Sequence, residues 1–252
     1  MTGVPVRIHL RPKQTGPFNL VLPMLFRNLL FWLGVSLPAI VLLCALSLTV
    51  DGFGETHMEE DRTVESAGAV SFLIGALLCA IAVLRGAGGA AILVGILSLA
   101  AFLSEMSFGE RQFGFEAPVI HGVKIDAVHD VLSLSYAAVD DPWLYLLLAT
   151  VFAALAGGVL AYLVRTSGRI RAIAAHPAMP LAAASLTLIA AAQLPDFGFG
   201  SVILWKLFGE SGVMFIQRSR FEEAAEFMAA FLLLIAAARL AFPSRRDARR
   251  PS

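Results

Sequence analysis

Apolar stretches of membrane-spanning length alternate with short polar segments along most of the chain. A bilayer hydrocarbon core about 30 Å thick requires roughly 20 apolar residues in a helix. Six stretches approach this length, which predicts an all-α fold, a polytopic membrane helical bundle of six transmembrane helices. The predicted spans are residues 29–50, 66–84, 90–105, 143–164, 180–194 and 221–242. The fifth span is short, so we expect it to begin earlier or to lie where the bilayer is thinned.

The polar segments complete the predicted organisation. Residues 1–27 form a basic arm, residues 28–242 the transmembrane domain, and residues 243–252 a basic tail. The loop between the third and fourth spans is the longest, and its residues 125–138 have the pattern of an amphipathic helix lying at the membrane interface. Residues 197–216 are moderately apolar but contain Lys206 and Glu210, which predicts an interfacial or re-entrant segment.

Composition agrees with a membrane protein. Charged residues make up 15% of the chain, against about a quarter in soluble domains, and the mean hydropathy is +0.78. The net charge is zero, and no motif indicates nucleic acid as a partner. Cys44 and Cys79 each lie inside an apolar stretch, which favours small buried side chains over a disulfide. In the fourth span, Ala154, Gly157 and Gly158 predict close helix packing.

The distribution of charge predicts the orientation of the chain. Six spans with a cytoplasmic amino terminus place 13 of the 19 Lys and Arg residues in the cytoplasm, and 18 of the 19 Asp and Glu residues on the other side. Cytoplasmic loops of membrane proteins are enriched in Lys and Arg. We therefore predict that both termini are cytoplasmic.

Three segments resemble a family of uncharacterised bacterial polytopic membrane proteins. Residues 104–118, Ser-Glu-Met-Ser-Phe-Gly-Glu-Arg-Gln-Phe-Gly-Phe-Glu-Ala-Pro, are similar to the family's Glu-Glu-x-Ser-Trp-Gly-Gln-Arg motif and the Phe-Gly-x-x-Thr-Pro-like tail after it. Glu60-Asp61 with Glu65 resembles a second segment, and His129-Asp130 resembles the family's Leu-His-Asn. The chain departs from the family pattern at Ser104, Phe108, Glu110 and Asp130.

This resemblance implies a topology of about six spans and a multi-pass location in a bacterial inner (plasma) membrane. It also selects the polar residues of the non-cytoplasmic side as a shared site. It implies no activity, because the family has no established function.

Glu105 is the most distinctive single residue in the hydropathy pattern. It lies in the last turn of the third span, where the helix dipole disfavours a carboxylate, and ionisable groups at membrane depth are usually paired or functional. Solvation by the headgroup region, or neutralisation by Arg111, is the alternative explanation. Glu226 lies one turn inside the last span and is predicted to face Glu105. The candidate catalytic residues are Glu105, Ser107, Arg111 and Glu226.

Two further groups have different explanations. Asp126, His129, Asp130 and Ser133 follow helical spacing and share one face. With Glu105, the first three form a candidate metal site, since imidazole and carboxylates together suit a divalent metal. A solvated face of an interfacial helix is the alternative. Glu222 follows Ser219 at the spacing of a capping box, which attributes it to the start of the last helix.

The sequence leaves two functions open. One is a metal-dependent membrane enzyme that acts on a lipid or lipid-linked substrate at the outer face. The other is a non-catalytic accessory or structural subunit of a larger membrane complex, with a membrane protein as its partner. The apolar interiors of the spans disfavour a transporter.

Overall fold

A computed structural model of the chain describes residues 18–57, 63–106, 114, 116–120, 122–125, 134, 139, 142–192 and 218–243. In these ranges the chain forms eight helices and one short antiparallel hairpin. The helices are α1 (Phe18–Thr49), α2 (Phe53–His57), α3 (Thr63–Leu84), α4 (Gly89–Glu105), α5 (Pro142–Thr166), α6 (Gly168–Ala174), α7 (Met179–Ala192) and α8 (Arg218–Ala241). The strands are β1 (Val119–Ile120) and β2 (Val123–Lys124), with Val119 opposite Lys124. The all-α prediction is confirmed, with this hairpin as the β structure of the described residues.

Most helix ends lie where the hydropathy pattern placed them. Both α3 and α4 end at the predicted residue, Leu84 and Glu105. The end of α3 has a local cause: Gly86 adopts a φ of +85°, and the N–H of Ala87 donates to the carbonyl of Ala82 at 2.9 Å. This backbone turn closes a helix at a residue without a Cβ.

Two helices differ from the prediction. The first helix begins at Phe18, so part of the predicted arm is helical and continuous with the first span. The fifth predicted span does not begin much earlier than residue 180, because its helix α7 starts at Met179. The preceding helix α6 is not a straight extension of α7, since the two helices meet at an angle of 77°. The predicted interfacial helix at 125–138 and the segment at 197–216 lie almost wholly outside the described residues.

Several of the described helices are long and apolar enough to cross a membrane. Three qualify by length and composition, namely Pro23–Ser47 of α1, Thr63–Leu84 and Arg220–Ala241, and a fourth is added if the bent pair α6 and α7 counts as one span. Two shorter apolar stretches, Gly89–Glu105 of α4 and Ala153–Leu163 within α5, overlap the third and fourth predicted spans.

The core lies where α3, α4 and α8 pack together, with α7 and then α1 on the outer side of α8. Its buried side chains are mostly alanines, joined by a few larger ones such as Phe72 and Leu233. The hydroxyl of Ser185 in α7 donates to the carbonyl of Ala229 in α8 at 2.8 Å. Small side chains let helix backbones approach closely, which is the usual basis of helix association in a bilayer.

Glycine marks the closest approach of α3 and α4. A Cβ added at Gly95 would lie 3.0 Å from the Cβ of Cys79, and one at Gly75 would lie 3.1 Å from the hydroxyl of Ser98. At Gly157 and Gly158 of α5, an added Cβ meets no described atom within 4 Å. The close packing predicted for the fourth span is therefore found instead between the second and third.

We expect Gly95→Ala to unfold at a lower temperature than Gly157→Ala. Both replacements improve helix propensity equally, but only the one at Gly95 overpacks a helix contact, which typically costs about 1–3 kcal/mol. Thermal unfolding of the two purified variants in the same detergent measures the difference. Equal midpoints would show that α3 and α4 are not in close contact.

A glutamate cluster as the candidate functional site

Each helix of the central trio carries a buried stripe that ends in glutamate. In α3 the buried residues Gly68, Phe72, Gly75 and Cys79 recur every three or four positions. Glu65 continues the same spacing one step toward the amino end. Residues at this spacing share one helix face, so the carboxylate of Glu65 belongs to the face that packs against the other helices.

The same pattern holds for α4 and α8. In α4 the stripe runs through Ala91, Val94 and Ser98 and reaches Glu105 two turns later. In α8 the buried residues Ala230, Leu233 and Ala237 are preceded on the same face by Glu223 and Glu226, in the second and third turns of the helix.

The direction of the helices brings these ends together. The short turn at residues 85–88 makes α4 return alongside α3, so that the start of α3 and the end of α4 share one end of the bundle. Glu105 lies within electrostatic range of Glu65 and Glu222, and Glu223 lies within range of Glu65, Glu105, Glu222 and Glu226. We call these five residues the glutamate cluster.

Glu223 is the most buried member of the glutamate cluster, with 8% of its surface exposed. Among the described residues, no hydrogen bond or ion pair joins its carboxyl group to a cation or donor. The nearby Arg220 points its guanidinium toward α1, where Nη1 donates to the carbonyl of Ser47 at 2.8 Å. Glu65, Glu222 and Glu226 take part in further interactions of their own. Because burying a charged carboxylate without a partner is costly, Glu223 is a candidate functional residue.

A second polar group lies deeper on the same face of α4. The hydroxyl of Ser98 is fully buried and has no hydrogen-bond partner among the described residues. It lies two turns from Glu105, about 10 Å along the helix axis, and faces Gly75. It is therefore too far from Glu105 for a direct hydrogen bond.

The structure unites two of the predicted catalytic residues. Glu105 and Glu226 belong to one cluster, because both lie within electrostatic range of Glu223. Ser107 and Arg111 lie outside the described residues, as do the predicted metal ligands Asp126, His129 and Asp130. The described residues contain no group of three His, Cys, Asp or Glu side chains placed to hold a metal ion directly.

Sequence reasoning assigned Glu222 to helix capping and did not single out Glu223. The helix begins at Arg218, so Ser219 lies inside its first turn and is not the residue before it. A usable signal was present, because the three-and-four spacing of the buried alanines of α8 extends back to Glu226 and Glu223. The same extension in α3 points to Glu65.

The opposite end of the bundle is basic. Arg85 follows α3 and donates from Nη1 to the carbonyl of Ala241 at 3.3 Å. Arg239 lies in the last turn of α8. Helix α6 packs against the start of α4, since a Cβ added at Gly89 would lie 2.6 Å from Cδ1 of Ile173 in α6. We call this region the arginine end, defined by Arg85, Arg239 and the α6 residues Arg169 and Arg171. None of the described Asp and Glu residues belongs to the helix ends that form it.

Comparison of the chain with protein-family models, with curated proteins and with solved structures returned no match. The assignment of the site therefore depends on geometry and chemistry alone.

Replacing Glu223 with Gln is expected to stabilise the fold. The substitution keeps the shape of the side chain but removes an ionisable group whose charged form is disfavoured by burial next to four other carboxyl groups, so the free energy of unfolding should rise by about 1–3 kcal/mol. Asp51→Asn is the control, because Asp51 is exposed in the turn after α1 and its charge should contribute little. Thermal unfolding in detergent measures both variants. A destabilised Glu223→Gln protein would mean that the carboxylate has a stabilising partner.

Proposed function

We propose that the chain is an integral membrane protein of six spans in a bacterial inner membrane, with both termini in the cytoplasm and the glutamate cluster at the non-cytoplasmic face. The separation of charge supports this placement, since the arginine end and the glutamate cluster lie at opposite ends of the same helices. Arginine and lysine on the cytoplasmic side are the main determinant of orientation.

At that face, the protein acts as a cation-dependent enzyme on a lipid or lipid-linked substrate. The observation that carries this proposal is the convergence of four carboxylates from three helices around the buried Glu223. Carboxylates so arranged strongly favour a bound cation, and paired carboxylates in different surroundings are the usual groups for general acid and base catalysis. The position at the end of membrane-spanning helices places them at the depth of lipid headgroups.

The arrangement suits a cation that keeps water ligands. Among the described residues, no three His, Cys, Asp or Glu side chains lie close enough together to coordinate a metal directly. Mg²⁺ commonly binds to only one or two carboxylates and retains several waters. Such an ion would polarise an ester or phosphoryl oxygen of the substrate. Glu105 and Glu226 then exchange protons with the reacting groups, and we propose that Ser107, Arg111, Asp126, His129 and Asp130 complete the site from the neighbouring loop.

The accessory-subunit function also has an observation in its favour. The main contact of α5 among the described helices is with the short α6. Large apolar side chains are exposed along it, including Leu147, Leu155 and Val159. A partner membrane protein could cover these apolar side chains in place of lipid. A stoichiometric partner that remains bound after mild solubilisation would support this alternative.

The six-span topology predicts which single-cysteine variants a membrane-impermeant thiol reagent labels in intact cells. In a background without Cys44 and Cys79, a cysteine at Asp51 should be labelled from outside, because it follows the first span on the glutamate side. Cysteines at Arg169 and Ser252 should be labelled only after the membrane is permeabilised. Labelling of Ser252 in intact cells would contradict an even number of spans with a cytoplasmic amino terminus.

Cation binding is tested by adding Mg²⁺ or Mn²⁺ to the purified protein. A ligand at 100 times its dissociation constant stabilises the folded state by about 2.7 kcal/mol, so the unfolding temperature of the wild type and of Asp51→Asn should rise. Glu105→Gln and Glu223→Gln should lose most of this rise, because each lacks one carboxylate of the cluster.

Turnover is then followed by mass spectrometry of a bacterial lipid extract incubated with the protein and the same cation. New lipid species should form with the wild type and not with Glu105→Gln. If both proteins leave the extract unchanged while the cation still binds, the enzyme proposal fails and the accessory function is the one to pursue.

A further inference from the structure

A cavity of about 500 Å³ opens at the arginine end, far from the glutamate cluster. Its walls come from three parts of the chain: the first half of α1, the turn between α6 and α7, and the last turn of α8. The volume falls in the range of small-molecule binding sites, about 300–1,000 Å³. The 77° bend between α6 and α7 creates the space, because it turns α6 away from the axis of α7.

The lining combines apolar and aromatic surface with one fixed cation. Met24 and Phe31 of α1 are about half exposed, and Phe31 meets Trp32 edge to face at 5.2 Å. The guanidinium of Arg239 lies over the indole ring of Trp32, 5.5 Å from its centroid. This contact holds the guanidinium against the cavity wall. A cation–π contact does not occupy all five N–H donors of the guanidinium, so donors remain available to a ligand.

Two further polar groups line the same cavity, Asn28 of α1 and His176 of the α6–α7 turn. The backbone N–H of Ala178 donates to Nδ1 of His176 at 3.2 Å. The neutral ring therefore carries its proton on Nε2, which makes that nitrogen a donor. No Asp or Glu of the described residues lines the cavity, so the described part of the site presents a positive charge and donors beside apolar walls.

We propose that this cavity binds the phosphate headgroup of an anionic phospholipid, with Arg239 as the anchoring cation and the α1 aromatic residues against the glycerol and upper acyl chains. Charge complementarity selects an anionic headgroup, and the apolar walls select a lipid over a free phosphate. Trp32 and Arg239 lie near the predicted cytoplasmic ends of their spans, the depth at which Trp, Arg and basic lipid pockets are usually found. The site is separate from the proposed enzymatic one, because it lies at the other end of the bundle.

The experiment is native mass spectrometry of the full-length protein in detergent, titrated with dioleoyl phosphatidylglycerol or dioleoyl phosphatidylcholine. The two lipids share their acyl chains, so a preference for phosphatidylglycerol reports the headgroup. The wild type is expected to bind it at least about fivefold more tightly, the gain typical of one arginine near an anionic lipid. Arg239→Gln should abolish the preference, and Arg239→Lys should keep part of it.

Arg85→Gln is the matched control. Arg85 lies at the same end of the bundle and also contacts an aromatic ring, with its guanidinium 5.9 Å from the centroid of Phe242, but it does not line the cavity. Its variant should keep the full preference. Both arginines are exposed, so neither replacement should prevent folding, and near-identical unfolding temperatures would verify this.

Three results would overturn the proposal: equal binding of the two lipids by the wild type, equal loss of preference in Arg85→Gln and Arg239→Gln, or displacement of the lipid by glycerol 3-phosphate or inorganic phosphate at similar concentration. The last result would identify a free phosphate compound as the ligand. Since the protein is in detergent, none of these outcomes depends on its orientation in the membrane or on the glutamate cluster.

Discussion

Close contact between α3, α4 and α8 depends on the small side chains along their facing stripes. Gly75 and Gly95 leave room for Ser98 and Cys79, and alanines fill most of the contact surface of α8. In a bilayer, lipid tails are as apolar as leucine side chains, so helices associate through packing rather than through a hydrophobic driving force. The position of the glutamates follows from this contact, because the stripes that pack together are the ones that end in Glu65, Glu105 and Glu223.

Charged side chains have different surroundings at the two ends of the bundle. At the arginine end, Arg85 contacts a carbonyl oxygen and Arg239 contacts an indole ring. Carbonyls at a helix carboxyl end carry partial negative charge, so the cations complement the dipole of α3 and α8. At the other end, Glu105 opposes the dipole of α4, and Glu223 is buried among other carboxyl groups. The glutamate cluster is thus the costly arrangement, and the cost is explained if a ligand or a reaction requires it.

The two proposed sites use different chemistry on the two faces of one helical unit. As proposed, the glutamate cluster would offer carboxylates to a hydrated cation and, through it, to a lipid-type substrate, whereas the cavity at the arginine end would offer a cation and donors to an anionic headgroup. Both depend on α8, whose second and third turns supply Glu222, Glu223 and Glu226 and whose last turn supplies Arg239. Because α8 is anchored by α3, α4 and α7 along its length, each end is held in position by the same core.

The sequence by itself determined the helical class of the protein and the ends of α3 and α4, and it selected Glu105 and Glu226 as candidate site residues. Hydropathy, a glycine with positive φ and an acid at the end of an apolar stretch are local properties, and local properties can be read from neighbouring residues. The tertiary structure alone decided that Glu223 is buried and joins Glu105 to Glu226, that α5 has mainly α6 as its described neighbour, and that a 77° bend before α7 opens a cavity beside Trp32. Helical periodicity identifies which face of a helix is apolar or small, but it does not state which other helix that face meets. That pairing is settled by the packing of all the helices together, since each small-residue contact forms only when its partner backbone is close enough.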